Sequence, residues 1–190
     1  MKYLQIPQIH TMKEIESFPP LKWRVESLLP VQGIAALYGS AGIGKSFLAL
    51  DLAIAIASGK NWFGKRINPT TVRYCALEGF HNYSNRISAW KKENKQELPI
   101  NMTFLSNALD LSDQNSTIEY MGSNQLLDLV EENSVLVIDT LNQASLSVDE
   151  NLSSSMGSVI AALKKIQTAK KCLIILVHHS GKATDRGLRG

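Results

Sequence analysis

Five short runs rich in apolar and β-branched residues recur along the chain, and segments with a helical spacing of apolar positions separate them. The runs cover residues 34–38, 71–77, 102–105, 135–138 and 172–177. Strands that alternate with helices indicate a parallel sheet, and near-continuous apolar strands are typical of a sheet covered on both faces. The pattern therefore predicts an α/β fold with a mainly parallel sheet and helices on both of its faces.

Four helices are predicted between or beside these runs, because apolar residues recur there at a helical spacing. The first helix is apolar on more than one face, and Gly59 is a suitable residue to end it. A shorter helix is predicted over residues 124–130. The three longer helices are marked by Phe47, Leu48, Leu50, Leu52, Ala53 and Ile56, by Tyr83, Ile87 and Trp90, and by Met156, Val159, Ile160, Leu163 and Ile166.

The first 30 residues differ in character from the rest of the chain. They contain Pro7, Pro19, Pro20 and Pro30, and proline disfavours long regular elements. We expect residues 1–30 to form an irregular arm that wraps an edge of the sheet, and residues 31–190 to form the core.

Composition narrows the class of protein. The chain has 190 residues, is 44% hydrophobic and carries a formal net charge of +3, which predicts one globular domain and excludes a disordered or fibrous chain. Cys75 and Cys172 lie in apolar runs, and no Cys/His spacing suits a zinc site. The longest apolar stretch, residues 47–57, is too short to span a bilayer, and no secretory signal is present. We expect a cytoplasmic protein with no membrane partner.

One segment fits the phosphate-binding pattern G-x-x-x-x-G-K-[ST] and lies between the first run and the first predicted helix. In such a loop the backbone N–H groups and the positive end of the helix hold the phosphates of ATP. Lys45 would reach the β- and γ-phosphates, and the Ser46 hydroxyl would ligate Mg²⁺. The alternative is a glycine-rich turn with an incidental lysine. The segment consists of Gly39, Ser40, Ala41, Gly42, Ile43, Gly44, Lys45 and Ser46.

An acidic residue follows the fourth run. Asp139 comes directly after residues 135–138, and ligands of open α/β sheets bind at the carboxyl ends of the strands. We expect Asp139 to hold Mg²⁺ directly or through water; the alternative is a solvated aspartate at a strand end. Thr140 is next, so this strand provides no adjacent glutamate to activate water, and such a base must come from elsewhere.

Two further strand ends provide candidates for catalysis. Glu78 follows the second run and would orient the attacking water and accept its proton; alternatively, it caps the next helix. His178 and His179 follow the fifth run. Because neighbouring strand residues face opposite sides, at most one histidine can point at the phosphates, and a structural role is the alternative for both.

Taken together, these motifs resemble the RecA-like hexameric ATPases, and among them the RepA-type replicative helicases of plasmids and phages. The resemblance extends from about Pro20 to the end of the chain. Motif, order and spacing match together, which makes it far more specific than a phosphate-binding loop alone. It rests on residues 39–46, 77–79, 138–141, 176–182 and 186–190.

Carried over position by position, the resemblance implies roles for five side chains. Lys45 and Ser46 contact the nucleotide and Mg²⁺, and Asp139 contacts the metal. Glu78 is the catalytic carboxylate, and His179 is the sensor of the γ-phosphate.

The resemblance also implies a sheet order and a set of partners. Counting the runs above, the order is third, second, fourth, fifth, first. The loops after the fourth and fifth runs would face the channel of a homo-oligomeric ring and contact single-stranded DNA. Loop 142–151 has no basic residue.

Three basic residues near the end of the chain are candidates for contacts with DNA or with a neighbouring subunit's site. They are Lys182, Arg186 and Arg189. Arg86 also matches an arginine of the family, without an assigned role. Relatives continue past the basic loop with further strands, so we expect this core to lack its C-terminal strands.

The sequence therefore favours a Mg²⁺-dependent ATPase of the RecA-like class, acting as a ring-forming replicative helicase on single-stranded DNA. Two alternatives stay open. One is a nucleotide-dependent regulatory or recombination-mediator ATPase with slow turnover. The other is a P-loop kinase, which would need an arginine-rich lid and an acceptor pocket that the sequence does not indicate.

Overall fold

A parallel sheet of five strands organises the residues that the computed structural model describes, 8–106, 108–145 and 153–179. The strands in these ranges are β1 Trp23–Val25, β2 Leu29–Pro30, β3 Gly33–Gly39, β4 Val72–Ala76, β5 Met102–Leu105, β6 Leu109–Asp110, β7 Met121–Gly122, β8 Val135–Asp139 and β9 Leu173–His179. The α-helices are α1 Met12–Glu16, α2 Lys45–Ser58, α3 Tyr83–Asn94, α4 Ser123–Leu129 and α5 Ser153–Lys170.

The main sheet has the strand order β3-β9-β8-β4-β5, and every neighbouring pair is parallel. This is the order that the resemblance implied, and the predicted α/β fold is confirmed. The register places Gly39 beside His179 and Ala76 beside Asp139. The carboxyl ends of β3, β9, β8 and β4 therefore meet at one rim of the sheet, where the candidate site residues lie.

Both faces of the sheet are covered, because the central strands carry apolar side chains on each face. In β8, Val135 and Val137 belong to the core that includes α2, whereas Leu136 and Ile138 belong to the core that includes α5. Side chains of a strand alternate between its faces, which divides these residues between two cores. Each of the four is fully buried, and burying one such side chain stabilises the fold by about 1.5–3 kcal/mol.

The predicted helices are present, with boundaries shifted by a few residues. α2 begins at Lys45, inside the phosphate-binding motif. Gly59 follows its last residue with a left-handed backbone, φ 69°, which is the conformation that commonly ends a helix. α4 is the short helix that the pattern placed over residues 124–130.

The arm is more regular than its prolines indicated, so the expectation of an irregular segment is wrong for part of it. α1 is a single turn closed by a capping box between Thr11 and Glu14, and β1 pairs antiparallel with β2. Elements this short span too few residues to produce a periodic apolar pattern. Only the capping box is visible in the sequence as a signal.

The end of the arm is anchored near the amino ends of β4 and β8, two central strands, and not along a sheet edge. Its anchor is the buried side chain of Arg24. The guanidinium donates to the carbonyl oxygens of Asn68 and Asn133, both at 2.8 Å, and to that of Pro69 at 3.3 Å. A planar side chain with five donors can hold three chain segments together in this way.

Both cysteines lie in the core as free thiols. Burial raises the pKa of Cys75 to about 12 and that of Cys172 to about 11, so both are protonated at neutral pH and are poor nucleophiles.

Across the described ranges, no helix combines the length and the apolar character that crossing a membrane requires.

Candidate active site

The loop between β3 and α2 has the backbone geometry of a phosphate cradle. Gly42 and Gly44 adopt left-handed backbone angles, φ 78° and 90°, which residues with a Cβ atom rarely adopt. No side chain caps α2 at Gly44. The loop therefore curves around the positive end of α2, which is a suitable place for an anion.

Lys45 lies with its ammonium group against its own loop. Nζ donates to the carbonyl oxygens of Gly39 at 2.9 Å and Ser40 at 2.8 Å. Burial lowers the pKa of Lys45 from its ordinary value, and the negative charges of Asp139 and Glu78 oppose that shift. The cation is thus balanced by carbonyls and by two nearby acids and is not paired directly with either.

A third contact of Lys45 joins the loop to the last strand. Nζ lies 3.1 Å from Nδ1 of His179. An ammonium group can only donate, so Nδ1 accepts and the ring proton is placed on Nε2. Nε2 in turn lies 4.0 Å from Oε2 of Glu78. The imidazole therefore lies between the loop cation and the candidate base.

Asp139, the last residue of β8, lies beside the start of α2. Asp139 is 2% exposed, and its Oδ1 accepts a hydrogen bond from Ser46 Oγ at 3.0 Å. Oδ2 accepts from the phenols of Tyr74 and Tyr83, both at 2.7 Å. Burial, and next the charge of Asp139, raise the pKa of both tyrosines, so both phenols act as donors at neutral pH.

The pair of Ser46 and Asp139 fits a magnesium ion. Mg²⁺ prefers oxygen ligands and is usually held by one or two protein groups together with phosphate oxygens and water. A hydroxyl and a carboxylate in contact at the phosphate-binding loop meet that requirement. Among the described residues, no three His, Cys, Asp or Glu side chains gather as a metal cage, and Mg²⁺ does not need one.

Glu78 lies two residues beyond the end of β4, with a side chain that is more than half exposed. The next elements are a 3₁₀ turn, Phe80–Asn82, and α3. Neither of them begins with a side-chain cap, so the alternative that Glu78 caps the following helix does not describe this structure. The carboxylate instead borders the cleft at the rim of the sheet.

The two histidines face different surroundings, as strand alternation requires. His179 borders the cleft beside Lys45. His178, paired with Tyr38 in the register of β9 and β3, is 8% exposed and does not border that cleft.

Arg86 also borders the cleft, held by aromatic rings. Its guanidinium carbon is 5.1 Å from the ring centroid of Phe47 and 4.7 Å from that of Tyr83, within the range of cation–π contacts.

The cleft has a volume of about 290 Å³, close to the lower end for small-molecule sites. The predicted residues Lys182, Arg186 and Arg189 lie outside the described residues.

Sequence reasoning missed Tyr74 and Tyr83 as parts of this site. In the sequence, Tyr83 lies on the apolar face of a predicted helix and Tyr74 lies in an apolar run. A buried tyrosine usually needs a hydrogen-bond partner for its hydroxyl, and that requirement was the available signal. Its partner, Asp139, is 65 and 56 residues away along the chain, which no local pattern reveals.

A glycine-rich loop from a strand to a helix, a lysine and a serine at its end, and an acidic residue on a nearby parallel strand define the class of P-loop nucleotide-binding domains. Residues 3–185 match a family model described as an AAA domain. The chain belongs to this family, and it is an AAA-type P-loop ATPase domain. The match includes the loop, Glu78, Asp139 and His179.

Proposed function

We propose that this chain is the Mg²⁺-dependent motor domain of a RecA-like, ring-forming replicative helicase that acts on single-stranded DNA. One observation carries the catalytic part: the P-loop lysine, the pair of Ser46 and Asp139, Glu78 and His179 converge at one rim of the sheet. The carboxyl ends of β4, β8 and β9 and the start of α2 each contribute a polar group of the kind that ATP hydrolysis requires.

Binding would use the loop and its lysine. The phosphates would lie in the curve of the loop, where Lys45 exchanges its contacts with Gly39 and Ser40 for phosphate oxygens. Ser46 and Asp139 would hold Mg²⁺, which would neutralise part of the negative charge of the phosphates. The hydrogen bond of 3.0 Å between these two side chains supports their shared role.

Hydrolysis would use Glu78 as the base. Its carboxylate borders the cleft and is sufficiently exposed to contact a water molecule, which it would orient and deprotonate. His179 contacts Lys45 through Nδ1 and faces Glu78 through Nε2. A movement of Lys45 toward phosphate would therefore change the surroundings of His179, which supports its role as the γ-phosphate sensor.

Assembly into a ring draws support from the arm. Ile9, Met12, Ile15 and Phe18 are each more than half exposed, and no residue of α1 is buried. Exposed apolar side chains this close together along the chain mark a candidate protein–protein contact. We propose that the arm contacts a neighbouring copy, and that Lys182, Arg186 and Arg189 contact DNA or the neighbour's nucleotide.

The rate of ATP hydrolysis with and without single-stranded DNA and Mg²⁺ tests this proposal. We expect hydrolysis to require Mg²⁺ and to rise strongly when DNA is added. Loop 142–151 has no basic residue and contains Asp149 and Glu150, an observation that favours a regulatory ATPase as the second candidate. Slow hydrolysis that DNA does not accelerate would support that candidate and contradict the motor.

A further inference from the structure

Two buried tyrosines contact the oxygen of Asp139 that Ser46 does not contact. The phenol oxygens of Tyr74 in β4 and Tyr83 in α3 both lie 2.7 Å from Oδ2, whereas Ser46 Oγ lies 3.0 Å from Oδ1. The two oxygens of the Asp139 carboxylate therefore have different partners: Oδ1 contacts Ser46 of the phosphate-binding motif, and Oδ2 contacts two phenols.

We propose that Tyr74 and Tyr83 are positioning residues that fix the orientation of Asp139, so that Oδ1 is presented to Mg²⁺ beside Ser46. This inference rests on the proposed Mg²⁺-dependent function and adds two residues to it. Groups that orient a metal ligand in this way typically change metal affinity by about 10–100-fold when they are removed.

The packing of the two rings makes them suitable for this role. Tyr74 and Tyr83 are 0% and 2% exposed, and their ring centroids are 5.6 Å apart. Phe104 packs against both, at 5.3 Å from Tyr74 and 5.7 Å from Tyr83. Donors on rings that are locked by packing keep their direction when the carboxylate turns, which is how a surrounding shell holds a site in its working geometry.

The two donors come from different elements, so they restrain Asp139 from two sides. β4 is paired with β8, the strand of Asp139, in parallel register. α3 contributes Tyr83, whose ring also contacts the guanidinium of Arg86 at 4.7 Å. A change of tyrosine to phenylalanine would remove only the hydroxyl and keep the ring that Arg86 and Phe104 contact.

A structural role is the competing explanation, since a buried carboxylate needs hydrogen-bond donors in any protein. The two roles differ in what they do to nucleotide binding. Loss of a structural contact would weaken binding with and without Mg²⁺ alike. Loss of a positioning contact would weaken the Mg²⁺-dependent part alone.

The experiment measures ADP affinity by calorimetry in Mg²⁺ and in EDTA, for the wild type, Tyr74→Phe, Tyr83→Phe and the double variant. The ratio of the two dissociation constants is the gain in affinity from Mg²⁺. We expect that gain to fall by about tenfold in each single variant, with the EDTA value unchanged. Tyr120→Phe is the matched control, because Tyr120 donates to Asp113 Oδ2 at 2.9 Å outside the site.

Several results would overturn the inference. An unchanged gain in both single variants would do so, and so would an equal loss in Mg²⁺ and in EDTA. If the double variant does not fold, the single variants provide the test. A second test adds Tyr83→Phe to Asp139→Asn: without the carboxylate, losing the phenol should cause no further change in the gain in affinity from Mg²⁺. A wild type that binds ADP equally with and without Mg²⁺ would refute the proposed function, and this inference with it.

Discussion

Lys45 Nζ lies 3.1 Å from Nδ1 of His179, so the phosphate-binding loop and the last described strand meet through an ammonium–imidazole contact. The two residues are 134 positions apart in the chain. They meet because β3 and β9 are adjacent parallel strands with Gly39 beside His179. The contact gives the site a direct link between the group that would bind phosphate and the group that would sense it.

Lys45→Ala should abolish ATP hydrolysis and weaken Mg·ATP binding by about tenfold or more. It removes the cation that we propose contacts the phosphates, and hydrogen bonds to charged groups contribute about 1.5–3 kcal/mol. Calorimetry gives the affinity. Lys92→Ala, at an exposed position of α3, is the control that should bind like the wild type. Unchanged ATP affinity in Lys45→Ala would contradict the assignment of the loop.

Glu78→Gln should separate binding from chemistry. The amide keeps the size of the side chain but cannot accept the proton of water, so we expect turnover to fall by about 10²-fold or more while Mg·ATP affinity stays near the wild-type value. Glu97→Gln provides the matched control, because Glu97 is exposed and contacts Lys91. Steady-state ATPase rates at saturating ATP measure the effect. If Glu78→Gln hydrolyses ATP at the wild-type rate, a group other than Glu78 activates the water.

Asp139→Asn, in contrast to Glu78→Gln, should impair nucleotide binding. It removes the negative charge beside Ser46, so Mg²⁺-dependent nucleotide binding should weaken, whereas binding in EDTA should change little. A titration with Mg²⁺ at fixed nucleotide measures the shift. The same Mg²⁺ requirement in the wild type and in Asp139→Asn would argue against a metal ligand at this position.

His179→Ala should lower turnover by about tenfold with ATP binding retained, because it removes the imidazole between Lys45 and Glu78. The size corresponds to the loss of one or two hydrogen bonds. His81→Ala, an exposed histidine in the 3₁₀ turn after β4, is the control. Equal turnover in His179→Ala and His81→Ala would exclude His179 from the chemistry.

Arg24→Ala should lower the free energy of unfolding by about 1–3 kcal/mol, because it removes a buried side chain and its hydrogen bonds to the carbonyl oxygens of Asn68 and Asn133. Urea titration followed by circular dichroism measures the change. Arg66→Ala is the comparison: its pairing with Glu26 is exposed to solvent, and such pairs contribute little. Equal midpoints for the two variants would refute the anchoring role of Arg24.

The sequence by itself determined the features that depend on neighbours along the chain. Apolar runs and helical spacing predicted the five parallel strands and the helices between them, and the pattern at residues 39–46 predicted the phosphate-binding loop. These signals are local, because a strand, a helix and a tight glycine turn are each specified within a few residues. The strand order came from the resemblance to RecA-like ATPases.

Only the tertiary structure decided which distant groups share one site. Tyr74 and Tyr83 contact Asp139 because β4 pairs with β8 and α3 packs over the same core. Arg86 lies on two aromatic rings, and Arg24 joins three segments, for the same reason. Each of these contacts depends on close packing between residues far apart in the chain. The spacing of residues along one segment does not predict such contacts.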